Sequence, residues 1–167
     1  TAVNGGMKVN PVLVRDILNE QGERIGGETG HTGQRVVSEE TSRQVREMME
    51  AAVTTGTGRL GNVAGYRVGG KTGTAQKPSE QGGYLADKYI TSFVGVAPIT
   101  DPQVVVLVVA DAPNVENASG GQITGPTVSA MLAEALERMG LDPDYDEIFG
   151  PDRPAASASP AADLRGP

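Results

Sequence analysis

The sequence predicts an α/β protein of the α+β type, in which helices flank an antiparallel sheet. Two apolar segments, residues 89–99 and 103–113, are separated by a short turn, which predicts an antiparallel β-hairpin. Amphipathic segments at residues 38–53 and 126–139 lie on either side of this hairpin and predict two helices. With 167 residues, of which 38% are hydrophobic, the chain is sufficient for one domain or part of one.

Charge and composition exclude several classes of function. The net charge is −7, and the sequence lacks the basic region that binding to nucleic acid requires. Because the chain has no cysteine, disulfides, thiolate metal sites and a cysteine nucleophile are excluded, and no metal or cofactor is expected. No segment approaches the roughly 18 apolar residues of a membrane span. Residues 141–167 are acidic and rich in Pro and Ala, so we expect a disordered tail after a domain portion at residues 1–140.

The N-terminal third predicts short extended pieces followed by a helix. Pro11 opposes a helix in residues 8–25, and a turn is expected near Gln21 and Gly22. Residues 26–34 are polar and glycine-rich, which is typical of a loop. Ser38 is a suitable N-cap for the first helix, with acidic residues in its first turn. Its predicted buried stripe consists of Val45, Met48, Met49 and Ala52.

The C-terminal elements follow from an apolar run and a second helical repeat. Residues 103–113 are almost continuously apolar, which predicts a strand buried on both faces. Pro126 suits the first turn of the second helix, and Gly140 is a suitable end. The predicted apolar stripe of this helix consists of Val128, Met131, Leu132, Ala135, Leu136 and Met139. The polar segment at residues 114–122 either borders a cleft or is simply exposed.

The central segment GYRVGGKTGTAQ matches a phosphate-loop pattern from Gly65 to Thr72. An apolar strand ending in Asp111 also has the form of a magnesium-binding strand. A phosphate loop must, however, follow a buried strand and open a helix, because the helix N-terminus holds the phosphates. Three glycines lie in the residues just before Gly65, and Gly73 and Pro78 come soon after Lys71, so neither condition is met. The context therefore argues against a nucleotide-hydrolysing enzyme.

The same segment can be interpreted as a strand that binds an extended ligand. Glycines within a strand often mark a place where a ligand or another backbone comes close. An open strand edge can pair with an extended peptide, while Lys71, Thr72 and Thr74 offer a cation and hydroxyl donors to a carboxylate. Gly73, between the two threonines, would permit close approach.

The run KTGTAQ, followed by YITSFVGVAP and DPQVVVLVVADAP, resembles the class B penicillin-binding proteins, which are peptidoglycan DD-transpeptidases. The resemblance extends from residue 1 to about residue 139. It implies a serine penicillin-binding/β-lactamase-like transpeptidase fold, of which this chain is expected to be the C-terminal portion. It also implies a membrane-anchored parent protein with an extracytoplasmic catalytic domain, and partners among the membrane proteins of division or elongation.

The resemblance further implies roles for the matching residues. Lys71 and Thr74 would be catalytic, Lys71 in the hydrogen-bond network of the nucleophile and Thr74 through an oxyanion-hole N–H. Thr72 and Thr74 would bind the carboxylate of a peptidoglycan stem peptide or of a β-lactam. Gly73 and Gln76 would keep the strand open and frame the cleft.

The chain departs from the family in having neither an S-x-x-K nor an S-x-N motif around any of its eight serines. We therefore expect it to be inactive alone and to need the N-terminal remainder of the transpeptidase domain. Two alternatives remain open: a sensor or hydrolase that recognises β-lactams, and a non-catalytic interaction module.

Overall fold

The computed structural model describes residues 1–28, 30, 32–115 and 119–143. Four short strands come first: β1 (Met7–Val9), β2 (Ile17–Leu18), β3 (Arg24–Gly26) and β4 (Thr32–Arg35). After them come helix α1 (Glu39–Thr54), a 3-10 turn (Arg59–Gly61) and the strands β5 (Gly69–Pro78), β6 (Tyr84–Ala97) and β7 (Val104–Asp111). The chain then forms two helices, α2 (Gly120–Ile123) and α3 (Gly125–Arg138).

The N-terminal strands form two nested antiparallel pairs. β2 pairs with β3 around a turn in which the Gly22 N–H donates to the Asn19 carbonyl at 3.0 Å. β1 pairs with β4 outside them. The extended pieces and the turn near Gly22 are thus confirmed. The prediction of a continuous loop at residues 26–34 is wrong at both ends, because closing the inner pair brings the flanking segments close enough to pair as well.

Helix α1 begins where the sequence predicts it, and three residues of its predicted stripe, Val45, Met49 and Ala52, are partly buried. The Ser38 hydroxyl accepts from the Thr41 N–H at 3.0 Å, which confirms the N-cap. Val53 and Ser42 are fully buried, whereas Met48 is 64% exposed, so its assignment to the core is wrong. The N-terminal turn contacts the helix at Ser42, whose hydroxyl donates to the Ala2 carbonyl at 2.8 Å. The buried face of the helix is therefore offset from the predicted stripe toward Ser42 and away from Met48.

The main sheet has three antiparallel strands in the order β5-β6-β7. β6 and β7 pair without a break from Ile90↔Asp111 to Ala97↔Val104, which confirms the predicted hairpin. The prediction that β7 is buried on both faces is wrong. Helix α3 packs on one face of β7, whereas the side chains on the other face are more than half exposed (Val105 58%, Leu107 63%, Val109 55%). We call these three residues the open face.

The core lies between the covered face of the sheet and the helices. Phe93 of β6 is completely buried, and so are three residues of α3 at four-residue spacing: Val128, Leu132 and Leu136. Met131 and Met139 are 49% and 50% exposed, so their assignment to the core is wrong. Because α3 contacts only one sheet face, it needs a single row of apolar side chains. Pro126 lies in its first turn, as predicted.

The end of the domain portion is only partly described. Leu141 packs against the core, and its carbonyl accepts from the Tyr66 hydroxyl at 2.6 Å. The boundary after residue 140 therefore stays a prediction. The predicted disordered tail falls almost entirely on residues 144–167, which lie outside the described residues. Among the helices that the structure describes, none is long and apolar enough to cross a bilayer.

Candidate active site

The predicted site residues all lie on β5, at one edge of the main sheet. Within the described residues β5 pairs with β6 alone, and the pairing is regular from Gly69↔Val96 to Gln76↔Tyr89. This arrangement leaves the other side of β5 without a neighbouring strand in the described part of the chain. The predicted open edge is therefore present at the KTG triplet, which consists of Lys71, Thr72 and Gly73.

Alternation along β5 separates the candidate side chains into two sets. Thr72 and Thr74 pair with Phe93 and Thr91, which are buried on the covered face of the sheet. Lys71 projects to the opposite face, because successive side chains of a strand alternate. Its ammonium group donates to the carbonyl oxygen of Thr72 at 2.6 Å. A cation and two hydroxyls are thus held on three of four consecutive residues.

The Thr72 hydroxyl has a partner in the glycine-rich loop that follows α1. Thr57 and Thr72 place their Oγ1 atoms 3.0 Å apart, so one hydroxyl donates to the other. Thr72 is half-buried, and the contact itself is exposed to solvent. The loop therefore fixes the orientation of a hydroxyl that the sequence predicts to bind a carboxylate.

Thr74 is held by the first residue of α2. The Gly120 N–H donates to Thr74 Oγ1 at 3.2 Å. A Cβ on Gly120 would lie 2.3 Å from the Ser92 carbonyl oxygen and 2.5 Å from that of Gly73, so only glycine fits here. At Gly121 a Cβ would lie 2.1 Å from the Thr57 carbonyl oxygen. The two glycines thus bring α2 into backbone contact with both the KTG strand and the Thr57 loop.

Gly73 and Gln76 differ in their surroundings. Gly73 is half-buried, and a Cβ there would lie 2.5 Å from the Ser92 hydroxyl oxygen, so the close approach that its sequence context predicts is made here by the Ser92 side chain of β6. Gln76 is exposed at the last regularly paired position of β5, beside the open edge. Both residues border the segment that contains the two threonine hydroxyls.

The structure also decides against the phosphate loop. Gly70, Lys71 and Thr72 lie within strand β5 and do not open a helix, so no helix N-terminus is available for phosphates. Asp111, the candidate magnesium ligand, instead accepts from Lys77 at 2.6 Å. Among the described residues, no group of three or more acidic or histidine side chains could hold a metal ion.

Sequence reasoning missed three residues of this site: Thr57, Gly120 and Gly121. The paired glycines in SGGQ and the alternating glycines in TTGTGRLG were visible, and they indicated loops. What could not be seen is that both loops meet at the KTG strand, because Thr57 and Gly120 are 15 and 46 residues away in sequence from their partners Thr72 and Thr74.

Comparisons with known proteins identify the family to which the chain belongs. Residues 1–133 match the family model described as the penicillin binding protein transpeptidase domain. Stage V sporulation protein D of Bacillus subtilis is 39% identical over 148 residues, which cover 88% of this chain and 23% of the relative. A peptidoglycan D,D-transpeptidase FtsI homolog of Chlorokybus atmophyticus is 40% identical over 109 residues, covering 65% of this chain and 16% of the relative.

A solved structure gives the same fold. The penicillin-binding protein 3 of Mycobacterium tuberculosis in complex with aztreonam superposes with a TM-score of 0.71 at 29% identity, over 84% of this chain and 33% of that one. The chain spans less than a quarter of the length of these two curated relatives. The fold, the KTG strand and the family match together show that the chain belongs to the transpeptidase domain family of class B penicillin-binding proteins.

Proposed function

We propose that this chain supplies the KTG strand of a peptidoglycan DD-transpeptidase that works through a serine acyl-enzyme and is acylated by β-lactams. The observation that supports this most strongly is a pair of threonine hydroxyls, each with a hydrogen-bond partner, on a strand with an open edge. Thr57 holds Thr72 at 3.0 Å, and the Gly120 N–H holds Thr74 at 3.2 Å. Hydroxyls with fixed orientations suit recognition of a carboxylate at the end of a peptide.

The proposed roles follow the positions of the side chains. Thr72 and Thr74 bind the terminal carboxylate of the stem peptide or of a β-lactam, and Gln76 and Gly73 border the bound peptide. Lys71 provides a positive charge on the other face of β5 and belongs to the hydrogen-bond network of the nucleophile. The Thr74 N–H serves as one donor of the oxyanion hole, a contribution that can be worth about 2.7–4 kcal/mol in the transition state.

The proposed reaction is an acyl transfer in two steps. A serine hydroxyl attacks the carbonyl between the two D-alanines, its proton passes to a base of the site, and free D-alanine leaves with a proton on its amine. An amine of a second stem peptide then attacks the ester, which forms the cross-link and releases the serine. No serine of this chain precedes a lysine by three residues, so we assign the nucleophile to another part of the parent protein.

The open face of the sheet offers a packing surface for another part of the protein, on the same side as Lys71. Val105, Leu107 and Val109 project to the face that also presents Lys71, because Leu107 pairs with Val94 and Val94 pairs with Lys71. An apolar surface of this kind on a central sheet is normally covered. We propose that the N-terminal remainder of the transpeptidase domain packs here and thereby places its serine near the lysine.

The location and larger partners are proposed from the chemistry of the substrate. Peptidoglycan lies outside the cytoplasmic membrane, so the catalytic domain is proposed to be extracytoplasmic in a membrane-anchored parent protein. Membrane proteins of the division or elongation machinery are the proposed partners. The proposed location can be tested by fractionating cells that express the parent protein and by measuring whether an external protease can digest the catalytic domain.

A fluorescent penicillin tests the proposed activity in the full-length parent protein. We expect a stable covalent adduct with the unmodified protein and a strong loss of labelling in Lys71→Ala. Lys88→Ala is a matched control, because Lys88 is an exposed lysine on the neighbouring strand. An unlabelled parent protein, or normal labelling of Lys71→Ala, contradicts the proposal. Rapid release of the label would instead identify a hydrolase.

A further inference from the structure

One ion pair joins the two outer strands of the main sheet. Lys77 of β5 donates from its ammonium group to both carboxylate oxygens of Asp111, at 2.8 and 2.6 Å. Asp111 is the last residue of β7, and Lys77 follows Gln76 directly. Neither residue has a role in the proposed chemistry, so the contact needs a separate explanation.

The pair crosses the central strand of the sheet. Ile90 of β6 is opposite Ala75 on one side and opposite Asp111 on the other. Lys77 is two residues beyond Ala75, so its side chain projects to the same face and must span β6 to reach Asp111. The Lys77 side chain is only 33% exposed, compared with 59% for Asp111, which indicates that its stem is partly covered. The contact therefore links β5 to β7 directly.

The pair lies at an irregularity in the pairing of β5, between Gln76 and the resumed pair Pro78↔Tyr84. Register between β5 and β6 is regular up to Gln76 and shifts between Gln76 and Pro78. β7 ends at the same level, and the next N–H, that of Ala112, donates to the Tyr89 carbonyl at 2.9 Å. An irregularity of this kind disrupts the ladder locally and allows the strands to bend, so a side-chain contact at this point can help to set the direction of β5.

We propose that Lys77 and Asp111 are positioning residues, which set the direction of β5 at Thr74 and Gln76 and so tune carboxylate binding at the open edge. The proposal rests on the proposed function. The pair acts through the strand and does not touch the ligand. Asp111 lies at the end of the open face, beyond Val109, where its side chain is 59% exposed in this chain, so the expected effect is modest, about two- to fivefold in ligand affinity.

The test uses the full-length parent protein and a fluorescent penicillin over a range of concentrations. This measurement separates the dissociation constant of the initial complex from the rate constant of acylation at saturation. We expect Lys77→Met and Asp111→Asn each to raise the dissociation constant about two- to fivefold, with little change in the saturating rate constant. The double variant should be no worse than either single variant, since both remove the same contact.

Two further variants separate positioning from general stability. Lys77→Arg and the charge-swapped pair Lys77→Asp with Asp111→Lys keep an ion pair, and we expect them to recover at least half of the lost affinity. Lys88→Met is the matched control and should bind like the unmodified protein. An unchanged dissociation constant in Lys77→Met overturns the positioning role. So does a failure of both Lys77→Arg and the charge-swapped variant to recover ligand affinity. Failure of the unmodified protein to form any adduct would contradict the proposed function instead.

Discussion

Substitution of Gly120 by alanine probes the contact between α2 and the KTG strand. The added Cβ would lie 2.3 Å from the Ser92 carbonyl oxygen and 2.5 Å from that of Gly73, and both are backbone atoms that cannot rotate away. Since ordinary contacts begin at 3.4 Å, α2 and β5 must separate by about 1 Å. That shift would break the 3.2 Å contact from the Gly120 N–H to Thr74. A displacement of this size at a catalytic group can cost about 100-fold in rate.

The assay is the second-order rate of labelling of the full-length parent protein by a fluorescent penicillin. We expect Gly120→Ala to reduce this rate about 10- to 100-fold, with a loss of stability of about 1–3 kcal/mol from overpacking. Gly30→Ala is the matched control, because a Cβ there would meet only Val12 at 3.5 Å. A Gly120→Ala protein that is labelled within twofold of the normal rate would contradict the claim that close packing of α2 on β5 positions Thr74.

Three other substitutions test the site, the core and the open face. Thr57→Val should slow acylation about three- to tenfold because Thr72 loses its 3.0 Å partner, whereas Thr57→Ser should retain the rate; equal rates for all three proteins would contradict the contact. Phe93→Ala should lower the free energy of unfolding by about 3–5 kcal/mol in denaturant titrations, because Phe93 is completely buried, and a loss below about 1 kcal/mol would contradict its core position. Leu107→Lys should increase the soluble fraction of the separately expressed chain, because Leu107 is 63% exposed there. The same substitution should lower the melting temperature of the full-length protein, because it would bury a charge. An unchanged melting temperature of the full-length protein would contradict a covered open face.

Local patterns predicted the elements because their causes are local. The Ser38 cap depends on one hydroxyl and an N–H three residues away, and the hairpin depends on two apolar runs with a short turn. The errors concern which side chains are buried. Met48, Met131 and Met139 fit helical stripes, yet each is about half exposed or more, since burial depends on what lies opposite.

The family and the position of the KTG strand could be predicted from the sequence alone, because the motif and the hairpin beyond it lie within a short stretch of chain. The sequence also determined that no serine here has the spacing of the nucleophile. Which other segments complete the site depends on how the chain packs in three dimensions. Thr57 and Gly120 reach Thr72 and Thr74 through contacts that depend on the packing of a loop and a short helix against one strand. Such contacts leave no periodic pattern in a sequence, because they join segments that are distant along the chain.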